Sequence, residues 1–288
     1  MISSVHAILH ACLQQCPAEE REQLLGFLKL PERQIVATTQ TQGNPLESQE
    51  SVSKLLERIH SSWFSPFLRT LSERGIGLFL NVLSAEKAHL IASEILYASD
   101  KQKEIHLSPA GKTFLQTTLV QYLTSDIDDL LPAECLPPSP LNELLEMPTS
   151  AVHDIADLLG VRDLAVEISQ VIDKGKFKKI HESLTSQQQA YLRGVTHEPV
   201  IFTPMGLAHW TEDQEKLQAL VQERGLNRLA KALYGQNSSL VWYVLHRLDV
   251  KRALVVSNLS KPLDHQRAHE ALVEQVAALI QTSAAGPA

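Results

Sequence analysis

Gly111-Lys112-Thr113 is the one triplet that ends like a phosphate-binding loop. Such a loop needs G-x-x-x-x-G-K-[ST], because several backbone N–H groups must wrap the phosphates. Here His106 stands at the first glycine position and Pro109 removes another donor. Gly75-Ile76-Gly77 lacks the third glycine and the strand–helix setting of a dinucleotide site. No nucleotide cofactor is expected. His6 and His10 have the i, i+4 spacing of two metal ligands on one helix face. Cys12 and Cys16 share that spacing but project about 240° away around the same helix, so the four cannot chelate one ion locally. Asp126, Asp128 and Asp129 are the only carboxylates grouped like a cation site, yet no glycine turn or closing Glu makes a calcium loop. No metal is expected. Lys174-Gly175-Lys176-Phe177-Lys178-Lys179 is the strongest charged run. Lys174, Lys176, Lys178 and Lys179 are candidates for contact with an acidic partner or anionic headgroups.

The elements that carry these residues read as short helices. From residue 2 to 16, Ile2, Val5, Leu9, Cys12, Leu13 and Cys16 fall on one apolar stripe. The pattern continues over 20–29 and stops at Leu30-Pro31. Residues 38–53 are polar and hold Gly43-Asn44-Pro45, which reads as a loop. Helical patterns resume at Val52 and run to about Leu131, with breaks near Ser72, Ser84, Ser99 and Ser108-Pro109. Leu131 to Ser150 contains five prolines, which helix interiors exclude, so it is expected to be a connector that lets the lobes reorient, with few contacts crossing it. A second irregular stretch, Gly194 to Trp210, carries Pro199, Pro204 and Gly206. These breaks divide the chain into N-terminal helices and linker (1–50), a middle helical domain (51–131), a helical-repeat lobe (141–193) and a C-terminal lobe (211–282).

One junction recurs. Leu83-Ser84, Leu184-Thr185 and Leu248-Asp249 each place a leucine before a small polar residue that opens a new amphipathic helix. Such residues suit N-caps, and Thr185 with Gln188 and Thr211 with Gln214 fit the capping box. The three junctions are unevenly spaced, so the expected architecture is all-α, an irregular armadillo-like stack in two or three lobes. Leu229, Leu233, Leu240, Leu245 and Leu248 are the expected core of the last lobe.

Composition agrees. Apolar residues make up 44% of the 288 and aromatics only 5%. Gly is 12 of 288, below the usual ~7%. Sandwiches and barrels need aromatic and β-branched runs that are missing here. A formal net charge of -7 disfavours a dedicated nucleic-acid binder. Three cysteines give no disulfide framework. The first residues show no secretory leader and no apolar run is long enough to span a bilayer. A cytoplasmic protein is expected, at most peripherally attached to the cytoplasmic face of the inner membrane.

Leu229-Ala230-Lys231-Ala232-Leu233-Tyr234-Gly235, then Ser239-Leu240, Leu245, Leu248 and Lys251-Arg252-Ala253, resemble the C-terminal domain of the FliG family of flagellar motor-switch rotor proteins. Arg267, Glu270 and Ala271 extend the likeness into the next helix. Residues 141–193 match the same pattern less closely, and residues 70–98 resemble the family's armadillo-like middle domain. The chain also departs from the family. Ser257-Asn258-Leu259 stands where the family has a charged, stator-facing helix with an acidic pair. Tyr234 replaces a lysine, Val200 to Met205 replaces an M-F-x-F hinge, and the E-H-P-Q signature is absent.

The resemblance implies the fold without torque generation. The expected function is that of a non-enzymatic helical scaffold or adaptor resembling a flagellar rotor ring protein, at the cytoplasmic base of a flagellar or type III secretion apparatus. Its partners would be further copies of itself or basal components of that apparatus. The alternative is a helical regulatory module of a transport system, like the cytoplasmic domain of magnesium transporters, for which Asp126, Asp128 and Asp129 would line the cation site. The family's hinge makes 194–210 an expected flexible connector. Trp210, Trp242 and Tyr243 near it are candidate partner contacts, since aromatics favour interface cores.

Overall fold

In a computed structural model of the chain, the described residues are 13, 18–29, 31–33, 49–97, 106–127, 129–168, 173–195, 207, 210–263 and 266–284. All regular structure among them is helical, and no strand occurs. The protein is all-α. It divides into two compact units, Met1–Pro137 and Pro138–Ala288.

Helix boundaries follow side chains that accept the first free N–H groups. Ser72, Ser84 and Ser108 each accept from the N–H three residues on, at 3.3, 3.3 and 3.1 Å. Thr185 and Gln188 form the full reciprocal box, with Thr185 Oγ1 accepting at 3.2 Å and Gln188 Oε1 at 3.0 Å. Asp249 caps its helix through Lys251 N–H at 3.0 Å. Thr211 does not cap: Asp213 does, its carboxylate accepting from Lys216 N–H at 3.2 Å. A carboxylate nearer the helix start takes the role from the hydroxyl. Gly75 and Gly111 fall inside the first turns that Ser72 and Ser108 cap, and Pro109 is the first residue of its helix. Both glycine motifs are therefore helix starts.

The first unit contains α1 (Ala18–Phe27), α2 (Gln49–Arg58), a 3₁₀ turn (Ser61–Trp63), α3 (Ser65–Leu68), α4 (Glu73–Leu80), α5 (Ala85–Glu94), α6 (Pro109–Leu123) and a second 3₁₀ turn (Ala133–Cys135). α6 packs on α2 and α4. Leu56, Phe64, Leu68, Leu80, Ile91 and Leu119 are fully buried. Phe67 meets Phe79 edge-on at 5.0 Å.

The second unit contains a 3₁₀ stretch (Pro140–Leu145), α7 (Thr149–Ile168), α8 (Lys174–Glu182), α9 (Ser186–Gly194), α10 (Gln214–Leu233), α11 (Ser238–Arg247), α12 (Val250–Leu259) and α13 (Gln266–Ala284). Its axis is the packing of α7 on α10, the two longest helices of the described chain. They meet at Gly160 and Gly225, where each helix backbone sits in the space a side chain would fill. α9 and α13 pack on α7, while α12 and α13 pack on α10. Segments 141–193 and 211–282, expected as separate lobes, thus share one core.

That core corrects two further expectations. The proline-rich stretch does not stay a loose connector over its second half. Leu141, Leu144 and Leu145 are buried, because the 3₁₀ stretch packs against α13 and α11. Prolines prevent an α-helix there without preventing burial. In the last lobe Leu229, Leu233, Leu240 and Leu248 are buried as expected, but Leu245 is only half-buried and Val244 takes the inner position. The expected connector at 194–210 lies mostly outside the described residues.

Candidate functional site

The lysine run forms α8, which begins at the N-cap Asp173. The Asp173 carboxylate accepts from Gly175 N–H at 2.8 Å and Lys176 N–H at 3.3 Å. Ile180 is fully buried and holds the helix on the core around Leu164, Leu217 and Val221. The lysines are not equivalent. Lys179 is paired with Glu212, and Lys178 lies 3.7 Å from Glu182 with both side chains mostly in water. Phe177 is 41% exposed beside His181, ring centroids 6.3 Å apart.

The three aromatic candidates are not on the surface. Trp210 is 8% exposed, sits in the core cluster with Leu207 and Leu217, and donates its indole N–H to Asp213 O at 2.8 Å. Trp242 and Tyr243 are buried and pack edge-to-face at 5.4 Å. Trp242 also stacks on His246 at 3.8 Å. That ring is locked by Nδ1 donating to Trp242 O at 2.8 Å. The three rings expected as partner contacts are thus buried within their own unit.

The groups that sequence reasoning missed are buried cations. Lys87 is 8% exposed, and its ammonium donates to the carbonyls of Leu56, Glu57 and Ile59 at 2.7, 2.5 and 2.7 Å. These are the open acceptors at the C-terminus of α2, where a cation also meets the negative end of the helix dipole. Arg247 does the same for the 3₁₀ stretch, donating to Leu145 O at 2.6 Å and to Met147 O. Arg228 pairs with Asp163 one turn beyond the glycine crossing, through Nε at 2.9 Å and through Nη2, and reaches Gln275 on α13. A buried cation leaves little mark in a sequence, because its partners are carbonyls of any residue.

A second polar cluster joins α7, α10 and α12. Arg252 lies 3.0 Å from His153 Nδ1 and 3.4 Å from Asp249. Gln222, its amide oxygen turned toward the guanidinium, accepts from Arg252 Nε at 2.7 Å. Burial pushes the Asp157 carboxyl up from its ordinary range, against the pull of Arg252 and with the push of Asp154. Asp213 is held down by the backbone N–H of Lys216 and by its ammonium.

In the first unit Lys112, from the glycine–lysine–threonine triplet, borders a shallow cavity of about 190 Å³ lined by Ser53, Glu57, Ser84 and Gln116. Gln116 donates to Ser53 Oγ at 3.2 Å and to Val82 O at 3.1 Å. Among the described residues no group of three His, Cys, Asp or Glu converges on a metal position. His6, His10, Cys12, Cys16 and Asp128 lie outside the described residues. Among the described residues, no helix is long and apolar enough to cross a membrane.

No family model, curated protein or solved structure matches the chain.

Proposed function

We propose that this chain is a non-enzymatic helical scaffold that works through its helix faces, assembling with copies of itself or with other basal components of a flagellar or type III secretion apparatus. The observation that carries this reading is α12. Its inner residues Ala253 and Val256 are buried, while the neighbouring Leu254 and Val255 are 55% and 36% exposed. Paired apolar side chains facing water on a short, well-capped helix are what a contact surface provides. The buried ionic groups support the same reading. Lys87, Arg228 and Arg247 are consumed in holding carbonyls and one carboxylate, which is architectural work.

The test is light scattering on the purified chain over a wide concentration range, alone and mixed with candidate basal components. The reading expects species heavier than 32.0 kDa that Leu254→Asp with Val255→Asp abolishes without loss of helicity. Turnover of a small molecule by the monomer would refute it.

A further inference from the structure

We infer that the outer face of α8 is a docking surface for an acidic peptide segment of a partner protein. This deepens the scaffold reading and rests on it. Lys174, Phe177, Lys178 and His181 are spaced i, i+3, i+4 and i+7, so they form one stripe along the helix. Lys174 is exposed, Phe177 is 41% exposed, and Lys178 is exposed along 76% of its side chain.

The stripe is poorly arranged for the helix itself. Lys174 and Lys178 are like charges one turn apart, which repel. Lys174 and Lys176 sit in the first turn, at the positive end of the helix dipole, where the Asp173 carboxylate is already engaged by the N–H groups of Gly175 and Lys176. A helix that only solvates itself alternates its charges. In a chain of net charge -7 this clustering of cations is not a reflection of composition. Lys178 keeps only a wide, water-exposed approach to Glu182, which contributes little. An anionic partner would offset the repulsion at both lysines.

Phe177 decides the class of partner. A single half-exposed ring on a nine-residue helix offers too little apolar area to enter a bilayer. Between two lysines it suits a segment in which Asp or Glu residues flank one apolar side chain.

The probe is an array of twelve-residue peptides, each with four Asp or Glu around a central Phe, Tyr or Leu placed at every register. Full-length chain is applied at low salt, and anisotropy follows for the strongest binder. The expected result is binding that weakens about tenfold with Lys174→Glu and Lys178→Glu together, falls steeply with salt, and vanishes when the acids become Asn and Gln. Phe177→Ala should weaken binding without changing its salt dependence. Circular dichroism and the melting temperature check that the variants fold. Three results overturn the inference: no acidic peptide binds, charge reversal leaves binding intact, or the stripe binds phosphatidylserine vesicles but no peptide. Any of these results in a chain that still assembles in light scattering would remove the α8 inference and leave the scaffold reading standing.

Discussion

Gly160 of α7 and Gly225 of α10 face each other so closely that neither tolerates a side chain. A Cβ on Gly160 would lie 1.9 Å from Val221 O, and one on Gly225 would lie 1.7 Å from Ala156 O. Both obstacles are helix backbone, which cannot step aside as a flexible side chain can. The relationship joins residues from the 141–193 and 211–282 segments into one body.

Gly160→Ala and Gly225→Ala should therefore each destabilise the second unit by about 3 kcal/mol or more, above the usual range for overpacking because the clash is with backbone. Alanine is otherwise the better helix former by about 1 kcal/mol. Denaturant unfolding of both variants checks this. Equal or higher stability would mean that the helices do not touch at these positions.

Arg228 and Asp163 are buried together beyond that crossing, with side chains 4% and 8% exposed. Removing either alone strands the other, at a cost of about 3–5 kcal/mol. Arg228→Met with Asp163→Leu should cost much less than the sum of the single changes. A double-mutant cycle measures the difference.

Lys87→Met should destabilise the first unit by roughly 2–3 kcal/mol, since three carbonyls at the end of α2 lose a charged donor. Lys87→Arg should not restore stability, because a planar guanidinium does not match three carbonyls converging on one ammonium. Thermal unfolding with a probe in the first unit, such as Trp63 fluorescence, reads both variants.

Asp157 gives a pH dependence with a defined sign. Its carboxyl is raised in the folded chain from 3.8 by burial, so the native state holds the proton more tightly than the unfolded one. This contribution is favourable at low pH and fades as pH rises from the unfolded value through the folded one. Asp157→Asn should flatten stability over that interval and be at least as stable as the wild type at pH 7. A loss of stability at pH 7 would show that attraction to Arg252 outweighs burial.

The fold was legible because its signals are local. Ser72, Ser84, Ser108, Thr185 and Asp249 cap helices where their types and spacing say they should, and α7 to α13 follow apolar periodicity. What stayed hidden depends on distant partners. Gly160 and Gly225 lie 65 residues apart, and only the packing reveals that they share one crossing. Lys87 reads as an ordinary surface lysine until the end of α2 closes around it. Trp242 and Tyr243 misled because an aromatic pair on a helix suits an interface and a core equally, and only burial separates the two. For the lysine run, the spacing located the charges but not their division between Glu212, Glu182 and open water.

The most direct test of the scaffold reading is site-specific photo-crosslinking in the cell that makes the protein. A photoreactive residue is placed at Leu254 or Val255 of α12, with exposed Glu215 in the first turn of α10 as the control. The account predicts discrete adducts with a second copy or a defined partner at positions 254 and 255, and none at 215. Identical diffuse labelling at all three positions, with no discrete adduct at α12, would contradict it.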